Sequence, residues 1–131
     1  SGGTVIADGS GLSARDRVAP ATLAALIRAS AASFADGPEF LASLPIGGRD
    51  GTLETRMDGA AGLVRAKTGH LQRVASLSGV VPGEAGGFRV FSLLVNGARG
   101  NSLDVDAAID VFVAALAVRP PESPPPVESG E

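Results

Sequence analysis

The sequence predicts an α+β fold: helices first, then a three-stranded antiparallel meander, then one more helix. Three observations carry this. Apolar residues recur at helical spacing after Pro20. Three runs rich in Val, Leu and Phe follow one another between residues 63 and 95, separated by turn-formers. A helical apolar stripe then returns after Asn101.

Thr4-Val5-Ile6-Ala7 is a short β-like run that ends at Asp8-Gly9-Ser10-Gly11, where short polar residues and glycines make a turn. Pro20 opens a helix at the position where a missing N–H costs least. Leu23, Leu26, Ile27 and Phe34 continue it, and Gly37-Pro38 closes it. Residues 39–44 spell a further short helix before Pro45, and Gly47-Gly48-Arg49-Asp50-Gly51 a loop. Residues 52–62 are ambiguous, with helical character around 53–57. Strands are expected over 63–70, 74–81 and 88–95, the last two joined by the hairpin loop Pro82-Gly83-Glu84-Ala85-Gly86-Gly87. Asn101 or Ser102 caps the final helix, with Asp104 and Asp106 complementing its dipole. Val105, Ile109, Phe112, Val113 and Leu116 form the stripe that packs on the sheet.

With 131 residues the chain suits one domain or part of one. Residues 1–118 carry the periodic segments and read as that domain. Residues 119–131, "RPPESPPPVESGE", are proline and acid with almost nothing to bury, so a disordered or extended tail is expected there. The start lacks Met and shows neither the basic opening nor the apolar core of a signal peptide, so the chain reads as cut from something longer.

The net charge of −3, with no basic cluster, gives no footprint for nucleic acid. No apolar run approaches the ~18 residues of a membrane span. Without cysteine, and with one histidine, no metal site is expected, and no motif calls for a cofactor.

The stretch "VRAKTGHLQ", residues 64–72, stands apart. Lys67 is the only lysine beside ten arginines, and it precedes Thr68, Gly69 and the only histidine, His70. On a strand, alternation puts Lys67 and Gly69 on one face and Thr68 on the other. Gly69 leaves room for a close backbone approach. An ammonium there is a point charge suited to a carboxylate or to holding a serine hydroxyl, with a solvated edge lysine as the plainer alternative.

Three blocks in order, "VIADGSGLSARDRVAPATL", "FLASLPIGGRDGTLETRM" and "VRAKTGHLQRVASLSGVV", resemble the C-terminal part of penicillin-binding D-alanyl-D-alanine carboxypeptidases of the low-molecular-mass class C type, some of which are also DD-endopeptidases. The resemblance implies a partial serine β-lactamase/DD-peptidase-like (transpeptidase) fold and a periplasmic or extracytoplasmic location. It implies peptidoglycan stem peptides and β-lactams as ligands, with the N-terminal part of the same protein as a partner. It makes Lys67 catalytic. Thr68, Gly69 and His70 become substrate-binding: the Thr68 hydroxyl on the substrate carboxylate, Gly69 beside an added strand, and the His70 main-chain N–H as an oxyanion donor.

His70 departs from the serine or threonine expected after K-T-G, and a histidine general base stays open as a sharper role for it. Two catalytic elements of that family are absent from this sequence. No serine precedes Lys67 by three, since Val64 stands there, and neither Asn96 nor Asn101 follows Ser-x. Ser10 between glycines has Asp8 where a nucleophile elbow needs glycine, and turn chemistry accounts for it. A non-catalytic binding or scaffold module that keeps the groove is the alternative. As a partial domain, the chain is also expected to leave apolar surface open beside residues 63–70.

Overall fold

A computed structural model describes residues 3–117. The proline-rich stretch 119–131 lies outside the described residues. Helix α1 (Pro20–Ala32) and the short α2 (Gly37–Ala42) precede two 3-10 turns, Gly51–Leu53 and Asp58–Ala60. Strands β1 (Arg65–Leu71), β2 (Val74–Pro82) and β3 (Phe88–Asn96) follow, then α3 (Ser102–Leu116). The sheet is an antiparallel meander in the order β1-β2-β3, as the strand pattern predicts.

Register fixes two faces, because partners across the ladder share a side. Ala66, Thr68 and His70 stand opposite Gly79, Leu77 and Ala75, which stand opposite Phe91, Leu93 and Val95. This face carries the core. Ala66, Ala75, Leu77, Val81 and Phe91 pack with Ile109 and Val113 of α3 and with Leu53, Met57, Ala60 and Val64 from the turns before β1. Arg65, Lys67, Gly69 and Leu71 belong to the other face, over which α1 lies against β2 and β3. The sheet is thus covered by a helix on each side.

Local chemistry explains most boundaries. Pro20 sits in the first turn of α1, and Asn101 caps α3 by accepting a bond from the Leu103 N–H at 3.0 Å. The run Thr4-Val5-Ile6-Ala7 contributes a single bridge, Val5 with Arg17. Gly37-Pro38 opens α2 instead of closing α1. The chain turns earlier, at 33–36, where the Ser33 hydroxyl accepts from the Asp36 N–H at 3.2 Å. Residues 52–62 form 3-10 turns around a left-handed Met57, which leave no helical period to read.

The apolar stripes are narrower than expected. Leu26 and Phe34 are 62% and 101% exposed, and Phe112 is 53% exposed, so only Ile27 of α1 and Ile109 and Val113 of α3 are fully buried. Open apolar surface lies on the outer sides of the two helices, at Phe34 after α1, along the N-terminal segment at Val5, Ile6 and Leu12, and at Leu71 and Phe88 on the sheet. Beside β1, Val64 and Ala66 are buried.

Candidate functional site

β1 is an edge strand, and its outer side is only half covered. The Ala66 N–H donates to the Pro45 carbonyl at 3.0 Å, and the Gly47 N–H to the Val64 carbonyl at 2.9 Å. The Ile46 N–H donates to Asp50 Oδ1 at 2.6 Å, which holds the covering segment in place. Beyond Ala66 this cover stops. Alternate residues of a strand direct their main-chain groups to the same edge, so Thr68 and His70 follow Ala66 and point theirs away from β2. Among the described residues nothing pairs with the N–H of either.

Of the four residues singled out by the sequence, Thr68 and His70 direct main-chain groups to this edge, Lys67 reaches it through its ammonium, and Gly69 turns its main chain to β2. Lys67 is exposed, and its ammonium donates to the Thr68 carbonyl at 2.7 Å. The Thr68 side chain is on the opposite face, with its hydroxyl donating to Thr52 Oγ1 at 3.0 Å. Gly69 has a structural reason as well as the one read from sequence: a Cβ there would lie 2.5 Å from Ser76 Oγ on β2. The Ser76 hydroxyl donates to the Gly69 carbonyl at 3.3 Å.

The His70 side chain turns to α3. Its Nε2–H donates to both carboxylate oxygens of Asp106, each at 3.0 Å. Arg56 approaches the same carboxylate at 3.4 Å and grips Asp110 through Nη2 at 2.6 Å and Nε at 3.1 Å. Asp106 is therefore an ion-pair residue beyond the first turn of α3, where Asp104 alone stands. The sequence reading of Asp106 as a dipole partner is corrected accordingly. The usable sequence signal was its spacing: Asp106 and Asp110 are four apart, so they share a helix face and call for a common cation. Nothing in the sequence marks Arg56 or Thr52 as the partners.

Ser10 stays a turn residue. Its N–H and hydroxyl donate to Asp8 Oδ1 at 2.9 and 2.7 Å, and all of this is exposed. Among the described residues no cluster of three or more His, Cys, Asp or Glu is placed to hold a metal. No helix there is long and apolar enough to cross a membrane.

Residues 1–116 match the D-Ala-D-Ala carboxypeptidase 3 (S13) family. The chain belongs to that family. A D-alanyl-D-alanine carboxypeptidase of Actinomadura sp. (strain R39) is 42% identical to this S13 chain over 124 residues, which cover 88% of the chain and 22% of the relative. A carboxypeptidase of Mycobacterium tuberculosis is 37% identical over 126 residues, covering 87% and 26%. The crystal structure of penicillin binding protein 4 from Haemophilus influenzae superposes with a TM-score of 0.72 at 28% identity, covering 89% of the S13 chain and 28% of that chain. The α+β fold is thus that of a portion of a DD-peptidase. The S13 chain spans about a quarter of the length of the relatives it matches.

Proposed function

We propose that this chain is the K-T-G portion of a serine-type D-Ala-D-Ala carboxypeptidase that also acts as a DD-endopeptidase. It works outside the cytoplasm on peptidoglycan stem peptides and is acylated by β-lactams. The observation that carries the proposal is the uncovered edge of β1 at Thr68 and His70, flanked by the sole lysine, in a chain of the S13 family. Residues 1–118 are the catalytic-domain portion.

The reaction assigns each residue a task. A serine oxygen attacks the carbonyl carbon of the penultimate D-alanine, the C–N bond breaks, and D-alanine leaves with the serine proton. Water then cleaves the ester. The peptide lies along β1 as an added strand, bonding to the main chain of the free edge. The N–H of His70 faces the oxygen that becomes negative, a donor worth about 3 kcal/mol. The Lys67 ammonium exchanges the Thr68 carbonyl for the substrate carboxylate and the reacting serine, and the Thr68 hydroxyl turns from Thr52 to the carboxylate. Gly69 lets the substrate come close. The serine and its lysine three residues on come from sequence outside these 131 residues, since neither motif is present here.

Intact mass before and after incubation with a penicillin tests this, on the full-length protein and on this chain. A penicilloyl adduct is expected on the full-length protein, at a serine outside these residues, and none on the chain alone. An adduct on this chain would overturn the assignment, with Ser10 the first serine to check. No adduct on either would favour a non-catalytic binding module that keeps the groove.

A further inference from the structure

The geometry points to His70 as a positioning residue: its imidazole, anchored to Asp106 of α3, fixes the position of the residue-70 main-chain N–H on the free edge of β1. The inference rests on the function proposed above and concerns the side chain, which the main-chain role leaves unexplained.

An edge strand carries its own main-chain groups with less support than a central one. The first half of β1 is tied down by Pro45 and Gly47 on its outer side and by Thr52 at Thr68. The second half has β2 alone, and it runs at once into the turn at Gln72 and Arg73, where Arg73 holds a left-handed backbone at φ 59°. An oxyanion donor has to be held to within about half an ångström. Among the described residues, the Ser76 hydroxyl on the Gly69 carbonyl belongs to β2 itself, and the side-chain tether from that end to another element is His70 on Asp106.

The anchor is itself braced. Asp106 is 18% exposed and shared with Arg56, which is 13% exposed and held by Asp110. The chain His70–Asp106–Arg56–Asp110 thus links the strand edge to α3 and to the segment before β1. Two carboxylates face one guanidinium, so a donor from β1 completes the cluster. A serine or threonine at position 70 is too short to span to the same carboxylate. The histidine is long enough to reach it with an N–H donor.

Stopped-flow acylation of the full-length protein by a fluorescent penicillin tests this, with the apparent dissociation constant and the first-order acylation constant resolved separately. Acylation of the wild type is the check on the underlying reading, and its absence overturns both. Given an active wild type, His70→Ala and Asp106→Ala are each expected to lower the first-order constant about tenfold to a hundredfold, with the dissociation constant nearly unchanged. The double variant is expected to be no worse than either single one, and His70→Gln to recover most of the loss. Hydrogen exchange at amides 69 and 71, which face β2, should speed up in the milder Asp106→Asn, while amide 66 stays protected by Pro45. Unchanged acylation, multiplicative losses in the double variant, or equal loosening at amide 66 and at amides 69 and 71 would each overturn the inference.

Discussion

The Lys67 ammonium lies 2.7 Å from the Thr68 carbonyl oxygen, on the one stretch of β1 that no other segment covers. A lysine spends its charge on its neighbour's backbone there only while nothing better is present. Under the proposed function it gives up that oxygen to a substrate carboxylate.

Lys67→Ala is therefore expected to change the thermal midpoint of the protein very little, by the equivalent of less than about 0.5 kcal/mol, because the side chain is exposed. Penicillin acylation of the full-length protein should fall by about a hundredfold or more. Lys67→Arg should fail to restore it, since a planar fork does not replace a compact ammonium. Acylation at the wild-type rate in the alanine variant would remove Lys67 from the mechanism.

Gly79 is required by packing. A Cβ on it would overlap the Arg65 carbonyl oxygen and sit 2.6 Å from the Ala66 Cβ across the ladder. Gly79→Ala should cost about 3 kcal/mol, read as a lower urea midpoint, because the obstruction is backbone and cannot rotate away. Gly69→Ala meets only the Ser76 hydroxyl, which can turn, and should cost less.

Arg56 neutralises two carboxylates at once. Replacing it with Met keeps the aliphatic bulk, leaves Asp110 partly buried without its cation, and leaves Asp106 with His70 alone. A loss of about 2 kcal/mol is expected, between the values for exposed and buried pairs. Chemical denaturation at low and high salt checks it: most of the loss should persist at high salt, since these groups are largely screened from solvent.

Asp8 supplies a pH test of the N-terminal turn. The Ser10 hydroxyl, and then the Ser10 N–H, bond its carboxylate and hold its pKa below the ordinary 3.8. A folded pKa below the unfolded one means that the turn's contribution is present above pH 3.8. It is lost as pH falls through the folded value. Ser10→Ala removes the larger cause, so NMR titration of the Asp8 carboxyl should show its midpoint move back toward 3.8. No movement would mean that the backbone bond alone sets it.

The sequence makes the meander legible because alternation and turn residues are local. The three strands lie within a residue or two of where Val, Leu and Phe alternate, and the facing of Lys67 against Thr68 follows from the same period. Asn101 was readable as a cap for the same reason. What the sequence hides is pairing at a distance. Nothing local tells that Pro45 would cover Ala66, that Thr52 would meet Thr68, or that His70 would reach Asp106, 36 residues away. The 3-10 turns around Met57 have no period, and Phe34 is spaced as if to continue α1, which ends at Ala32 and leaves it exposed. The strand that carries Lys67, Thr68, Gly69 and His70 was legible, and the way those residues are held was not.

The Pro45 cover makes β1 a ruler. It leaves two outward positions, Thr68 and His70, before the turn at Gln72 ends the strand. Two alternate residues span about 7 Å, roughly the length of a dipeptide. An extended peptide laid along that edge would register over its last residues and find nothing to grip farther along. The enzyme proposed here would then read the end of a stem peptide and ignore the mass of polymer behind it.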